Sequence, residues 1–296
     1  MKLNADVVCY GEILWDVFPD KKVIGGAPFN VAQRLHSQGY SVSMISNIGE
    51  DKLGKEIIVY LEENGFPREG IQQTSAFKTG EVLVTLNEGG SASYTIEQPV
   101  AWDAIPFTEG AQNLVKNAHV FIFGSLACRN NTSRDTLFKL IELSKFSVFD
   151  VNLRPPFYSL ELLRQLISKA NFVKMNDEEL EEITRLLESP AVGLEDKAQW
   201  LYENTELQGL CVTKGAEGAF LFYENGFFYH KGFEVKVKDT VGAGDSFLAT
   251  LVGELFLLKS QPMRALERAC AIGALVASKK GANCELLESE IQELTR

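Results

Sequence analysis

Short, continuously apolar runs alternate with longer segments of helical periodicity along most of this sequence. Strands are predicted near 119–124, 147–150 and 171–175, and helices near 133–144, 159–168 and 177–187. Runs of this kind are buried on both faces, and their alternation with helices favours parallel strands joined by helical crossovers. The sequence therefore predicts an α/β protein with a doubly wound, mainly parallel sheet flanked by helices.

The first apolar run, Val7 to Leu14, is expected to be a central strand, and Asp16 follows it. Ligands bind outside the carboxyl ends of strands in open α/β sheets, so Asp16 is a candidate for binding substrate hydroxyls. A solvated turn aspartate is the alternative. Gly25 and Gly26 then precede a helix, and Asn30, one turn into it, can donate to and accept from a sugar hydroxyl. A plain helix start explains the two glycines almost as well.

The pattern changes between residues 77 and 101, where two β-type runs, 81–86 and 93–96, flank a predicted turn at 87–90. This is a hairpin, and a ribbon from residues 15–24 is expected to join it. An antiparallel insertion in an alternating chain predicts a lid that excludes water, with ordinary edge strands as the alternative. We therefore expect the whole chain to form one domain with a small antiparallel β lid.

Polar clusters follow two predicted strands, at Asp150 to Arg154 and at Asn176 to Glu179. Both strand ends face the same rim of a parallel sheet. Arg154 could pair with a phosphate or a substrate hydroxyl. Asn176 and Glu179 could hold Mg²⁺ through water, because Mg²⁺ keeps several waters and takes few direct carboxylates. The same two residues resemble a helix capping box, and both roles are compatible.

Two segments bear on nucleotide binding. Residues 49–55 nearly match the phosphate loop G-x-x-x-x-G-K-[ST], but Glu56 stands where a Ser or Thr should meet Mg²⁺, so residues 53–64 are predicted to be a peripheral helix. The absence of G-x-G-x-x-G after the first strand also argues against a dinucleotide enzyme. A later buried strand ends at Thr213, and Thr213 with Gly215 could contact a nucleotide phosphate.

The stretch Asp239-Thr-Val-Gly-Ala-Gly-Asp245 runs directly into an apolar helical segment. Gly242, Ala243 and Gly244 leave backbone N–H groups uncovered at a helix start, which carries roughly half a positive charge. This predicts an anion hole. Asp245, in the first turn, could accept a proton from a hydroxyl that attacks the bound anion, which indicates phosphoryl transfer to an alcohol. The alternative is a Gly-rich turn that caps a core helix.

Composition limits the classes of function. The chain has 296 residues, 45% of them apolar, and a formal net charge of -11, which opposes binding to a phosphate backbone, so nucleic acid is not an expected partner. The five cysteines are scattered without metal or redox spacing and are expected to be reduced core residues. The apolar run at the N-terminus is too short for a signal sequence, and no membrane segment is predicted. These features predict a cytoplasmic protein.

Taken together, five segments resemble the ribokinase-like (PfkB) carbohydrate kinases over nearly the whole chain. The segments are Gly25-Gly26 with Asn30, Asp150 to Arg154, Asn176 to Glu179, Thr213-Lys214-Gly215 and Asp239 to Asp245. The resemblance implies ATP as donor, Mg²⁺, and Asp245 as the base that deprotonates the accepting hydroxyl. It also implies that Asp16 and Asn30 bind the sugar, that Asn176 and Glu179 serve Mg²⁺ and the phosphates, and that residues around Thr213 and Gly281 line the nucleotide pocket.

Within that family, Gly-Gly-Ala-Pro-Phe-Asn is closest to the fructokinases, whereas ribokinases carry Lys and Gly at Ala27 and Pro28. Phe29 departs from the small residue usual in fructokinases, and it could reshape the pocket or pack inward. Some members bind a monovalent cation such as K⁺, for which Asp239 matches a ligand position. Members also pair their lids, so a homodimer is expected.

The resemblance implies phosphorylation of fructose to fructose 6-phosphate. A kinase for 2-keto-3-deoxygluconate, ribose or a nucleoside is the close alternative. A catalytically silent sugar-binding regulator is the third hypothesis, which the retained Asp245 and the Gly242 to Gly244 turn disfavour.

Overall fold

The computed structural model describes residues 5–86 and 92–295, so the turn predicted at 87–90 lies outside the described residues. The strands are β1 Val7–Tyr10, β2 Leu14–Val17, β3 Lys22–Gly25, β4 Val42–Gly49, β5 Ile71–Thr74, β6 Gly80–Leu86, β7 Ala92–Ile96, β8 Val120–Gly124, β9 Ser147–Asp150, β10 Phe172–Asn176, β11 Gly209–Thr213, β12 Ala219–Tyr223 and β13 Gly226–His230. The α-helices are α1 Ala27–Ser37, α2 Lys52–Glu63, α3 Glu109–Asn117, α4 Asn131–Ile141, α5 Leu160–Lys169, α6 Asp177–Leu186, α7 Leu194–Glu203, α8 Ala243–Val252, α9 Pro262–Ala277 and α10 Glu288–Leu294.

The main sheet has nine strands in the order β13-β12-β11-β10-β9-β8-β1-β4-β5. Strands β4, β5, β1 and β8 to β11 pair in parallel, and β12 and β13 add an antiparallel hairpin at one edge. The predicted α/β fold with a mainly parallel sheet is therefore confirmed. Because the strands run in parallel, the carboxyl ends of β1, β9, β10 and β11 meet at one rim, where the polar clusters of the sequence lie.

Two layers of helices bury the two faces of this sheet. Successive strand residues point to opposite faces, so Val8 packs into the core beneath α3 to α7, and Cys9 packs into the core beneath α1, α2, α8 and α9. Four of the five cysteines are buried, and Cys284 is partly exposed. None of the helices within the described part of the chain is long and apolar enough to cross a membrane.

The strand expected over residues 7–14 is wrong in its extent. β1 ends at Tyr10, and the chain crosses at Gly11, with φ +141°, to β2 in a second sheet. Ile13 and Trp15 pack into the same core as Cys9, so the hydrophobic pattern continues across the break. Asp16 consequently lies inside β2 and not in a turn after a central strand.

The second sheet has four strands in the order β3-β2-β6-β7. The predicted hairpin forms as β6 and β7, and residues 15–24 join it through β2 and β3, as expected; β2 and β6 pair in parallel, and the outer pairs are antiparallel. A buried ion pair holds the segment that leads from β7 back to the main sheet. Arg129 Nε donates to Asp103 Oδ1 at 2.7 Å, and Arg129 also donates to the Glu97 carbonyl.

Candidate active site

Helix α8 begins behind a left-handed glycine at the rim of the main sheet. Gly242 has φ +75°, and a Cβ there would lie 2.2 Å from Ala282 Cβ, so only glycine fits. Asp239 links this turn to the loop after α9, because its carboxylate oxygens accept from the amides of Val241 and Gly281, each at 3.0 Å. The turn thus lies at a helix N-terminus, but the Ala243 amide donates to the Thr240 carbonyl at 3.2 Å, so the expectation of an uncovered N–H group is wrong for Ala243.

Asp245 lies in the first turn of α8, in agreement with the sequence. Its Oδ2 accepts a hydrogen bond from Asn30 Nδ2 at 2.8 Å, which joins α8 to α1. Desolvation, reinforced by Asp150, raises the pKa of Asp245 to about 6, and Asn30, Lys174 and Arg154 oppose that rise. A carboxylate with a pKa near the working pH is suited to general-base chemistry.

Asp16 lies beside the glycine pair that precedes α1. A Cβ on Gly25 would lie 2.3 Å from Asp16 Oδ2, and a Cβ on Gly26, which has φ +108°, would lie 2.4 Å from the Glu12 carbonyl. The two glycines therefore let β3 and the start of α1 approach these acids closely. Burial raises the pKa of Asp16 to about 6, and Arg154 opposes the rise.

Arg154 is exposed to solvent. Its guanidinium donates to the carbonyl of Leu153 at 2.9 Å and forms no ion pair with any residue in 5–86 or 92–295. It nevertheless lies close enough to Glu12, Asp16 and Asp245 to oppose the rise in pKa that burial causes in all three carboxyls. The structure thus brings one unpaired cation and three carboxylates together at the predicted sugar side.

Glu12 belongs to this group, although we assigned it no site role from the sequence. It is 3% exposed, and its Oε2 has no hydrogen-bond partner within the described part of the chain. Burial raises its pKa to about 7, with a further contribution from Asp245 that opposes those of Arg154 and the Ala27 amide. The available signal was an acidic residue inside an otherwise apolar run, because burial of a charged carboxylate costs free energy unless the group is paired or has a functional role.

A second omission is the buried ion pair of Lys174 with Asp150. Lys174 Nζ lies 3.0 Å from Asp150 Oδ1, and both side chains are nearly excluded from solvent. Burial alone would lower the pKa of Lys174, but Asp150 and Glu179 outweigh that effect and raise it. A Cβ on Gly244 would lie 3.4 Å from Nζ, so this ammonium stands beside the anion hole.

Asn176 and Glu179 form the capping box of α6. Asn176 Oδ1 accepts from the Glu179 amide at 2.7 Å, and Glu179 accepts from the amides of Asn176 and Leu153. Within the described residues, no three acidic, histidine or cysteine side chains converge into a metal cage. The oxygens of Asn176 and Glu179 keep lone pairs that can accept from the waters of a hydrated Mg²⁺.

A pocket of about 540 Å³ adjoins the anion hole. Thr213, Gly215, Ala243 and Gly244 line it together with apolar residues such as Phe247, so the structure brings three of the predicted nucleotide-side residues, Thr213, Gly215 and Gly244, into one place. Among the described candidates, Lys214, Asn176, Gly242 and Gly281 do not line it. The Lys214 ammonium lies instead over the Tyr229 ring, 4.9 Å from its centre.

Phe29 packs inward and not into this site. It is fully buried, and its ring meets those of Tyr60 and Phe66 edge to face, with centres 6.3 and 5.7 Å away. The sugar side is therefore not narrowed by this aromatic residue.

Comparison with known proteins decides the family. Residues 3–288 match the profile described as pfkB family carbohydrate kinase. The chain belongs to that family. This pfkB kinase is 30% identical to Probable fructokinase-4 of Arabidopsis thaliana, over 98% of the chain and 96% of that relative.

Two solved structures share the fold. A fructokinase from Xylella fastidiosa with bound ATP superposes with a TM-score of 0.84 at 23% identity, over 99% of this kinase and 98% of that chain. An uncharacterized sugar kinase from Pyrococcus horikoshii gives 0.83 at 26% identity, over 98% and 99%. The protein is thus a carbohydrate kinase that resembles fructokinases in sequence and in fold.

Proposed function

We propose that this kinase transfers the γ-phosphate of ATP to a hydroxyl of a neutral hexose, with fructose as preferred acceptor and fructose 6-phosphate as product. One observation carries the proposal: Asp245 stands in the first turn of α8, directly after the glycine anion hole, and accepts a hydrogen bond from Asn30 on the sugar-side helix. The proposed proton acceptor and the proposed sugar-binding residue Asn30 are thus in direct contact at the start of α8, which supports the proposal.

In the proposed reaction, Asp16 and Asn30 hold sugar hydroxyls so that one oxygen faces Asp245. Asp245 accepts the hydroxyl proton as that oxygen bonds to the γ-phosphorus, while the bond between the γ-phosphorus and the β–γ bridging oxygen breaks and ADP leaves. The unpaired backbone amides at the start of α8 receive the charge of the transferred phosphoryl group. Positioning with electrostatic stabilisation supplies most of the catalysis in reactions of this type. The adenine nucleotide occupies the pocket beside Thr213 and Gly215.

We propose that Asn176 and Glu179 hold Mg²⁺ through its waters. When bound, Mg²⁺ neutralises charge on the phosphate oxygens. Asp239 remains a candidate ligand for a monovalent cation such as K⁺. Arg154 is free to approach either the sugar or the transferred phosphoryl group.

Charge favours a neutral acceptor. Glu12, Asp16 and Asp245 place three carboxyls at the sugar side against the single guanidinium of Arg154, so an anionic sugar would meet net repulsion when the carboxyls are ionised. Arg154 also supports the second candidate, 2-keto-3-deoxygluconate, because an unpaired guanidinium binds carboxylates well. Ribose and nucleosides are neutral too, so charge does not separate them from fructose, and the preference for fructose rests on the similarity to fructokinases.

The test is a coupled ADP-release assay with fructose, ribose, 2-keto-3-deoxygluconate and adenosine as acceptors. We expect the highest kcat/KM with fructose. Faster use of another acceptor would overturn the substrate assignment, and sugar binding without ADP release from any acceptor would indicate a silent regulator.

We also propose that the small sheet closes over the sugar and pairs with its counterpart in a homodimer, and that the enzyme acts in the cytoplasm. Leu83 on β6 is 40% exposed, and it gives this sheet an apolar surface residue. Size-exclusion chromatography with light scattering tests the dimer.

A further inference from the structure

Helix α1 carries a buried arginine that the proposed reaction does not use. Arg34 is 5% exposed and lies one turn beyond Asn30, on the same face of the helix. Its Nε donates to Ser246 Oγ at 3.0 Å, and Nη2 donates to the carbonyls of Ala282 and Cys284 at 3.1 and 3.0 Å. Arg34 forms no ion pair with any residue the structure describes, and these hydrogen-bond partners are uncharged.

The loop that Arg34 holds forms the back of the anion hole. Ala282 packs against Gly242 so closely that any Cβ on Gly242 would overlap it. The residue before Ala282, Gly281, donates its amide to Asp239, and the residue after it, Asn283, donates to Asn30 Oδ1 at 3.4 Å. A shift of this loop would therefore change the support of the turn that presents the amides.

We infer that Arg34 is a positioning residue for phosphoryl transfer, which fixes residues 282–284 behind the Gly242 turn and ties them to Ser246, the neighbour of Asp245. The inference rests on the proposed kinase function. Arg34 and Asn30 lie on one helix face, so α1 holds the proton acceptor with one residue and the back of the anion hole with the other.

The chemistry of arginine suits this task. A planar guanidinium offers donors in fixed directions, so one group can bond a hydroxyl and two carbonyls that belong to different segments. An ammonium at the end of a lysine chain is a compact point charge and cannot reproduce that fork. Loss of Arg34 would leave two partly buried carbonyls without their partner, and the loop would have to move to reach water.

The test compares Arg34→Ala with the wild type, and Arg164→Ala serves as control because Arg164 is exposed on α5. Reactions run with fructose and ATP at a temperature where circular dichroism shows each variant folded. We expect kcat of Arg34→Ala to fall at least about tenfold, because misplaced groups cost transition-state stabilisation, while KM for fructose stays within about threefold. Arg164→Ala should match the wild type.

Each outcome decides the matter. A folded Arg34→Ala with kcat within about threefold of wild type overturns the inference, as does an effect confined to KM or to melting temperature. If Arg34→Ala does not fold, Arg34→Lys replaces it, and an unchanged kcat in that variant also overturns the inference. A wild-type protein without ADP release from any acceptor contradicts the proposed function itself, and Arg34 then has no such role.

Discussion

Replacement of Asp16 by alanine should weaken sugar use far more than nucleotide binding. A carboxylate that accepts hydrogen bonds from buried hydroxyls contributes about 1.5–3 kcal/mol per charged bond, which corresponds to roughly 10- to 150-fold in affinity. Asp16 is set apart from the nucleotide pocket, which Thr213 and Gly215 line, so ATP should bind as in the wild type. Titration calorimetry with fructose and with ATP measures both effects.

The structure adds a second, opposite effect on the free energy of unfolding. The folded chain raises the pKa of Asp16 from 3.8 to about 6, so the ionised carboxylate destabilises the ligand-free fold above pH 6, and this penalty disappears as pH falls toward 3.8. The side chain is partly exposed, so we expect Asp16→Asn to stabilise the free protein by only about 1 kcal/mol at pH 8. Near pH 4 its stability should match the wild type.

Asp20→Ala is the control for both measurements, because Asp20 is exposed in the turn between β2 and β3. It should change neither fructose affinity nor the pH dependence of stability. The reasoning is refuted if Asp16→Ala binds fructose within about threefold of wild type, because the wild-type Asp16 carboxylate would then form no charged hydrogen bonds with fructose.

Three further predictions concern the lid, the pH profile and the anion hole. Saturating fructose with a nucleotide should slow hydrogen exchange in residues 77–101, and unchanged exchange would remove the lid role. Because burial raises the pKa of both Asp245 and Asp16 to about 6, kcat/KM should fall at least about tenfold per pH unit below 6, whereas a flat profile to pH 5 would contradict the role of Asp245 as base. Gly242→Ala should destabilise the fold by roughly 2–4 kcal/mol, because its backbone is left-handed and the new Cβ would overlap Ala282. Gly110→Ala on α3 should not, because its Cβ would make only an ordinary contact with Thr108 Oγ1 at 3.8 Å.

Local sequence patterns predicted most of the fold. The alternation of apolar runs and helices fixed the parallel sheet, and Asn176 with Glu179 marked the start of α6. Residues 53–64 were expected to be a peripheral helix, and α2 covers Lys52–Glu63, capped by the Asp51 carboxylate. Such features depend on residues that are close together in the sequence, so local sequence patterns are enough to predict them.

Local sequence patterns did not predict contacts between residues that are distant in the sequence. The apolar run from Val7 gave no sign that the chain leaves the main sheet after Tyr10, because both sheets bury their residues in one core. Lys174 and Asp150 lie on neighbouring strands and meet only once β9 and β10 pair. The partners of Arg34 lie more than 200 positions away, and no periodicity within α1 reveals them.

The measurement that tests the account most directly is turnover and ligand binding of Asp245→Asn. Asparagine is nearly isosteric and can still meet Asn30, so α8 and its amides should persist, but an amide cannot accept the proton of the attacking hydroxyl. Since general-base assistance is worth about 10²–10⁴ in rate, turnover on fructose should fall at least about a hundredfold, with near-normal ATP affinity by calorimetry. Turnover within a few-fold of wild type would contradict the account, because Asp245 would then be only a residue of the first turn of its helix.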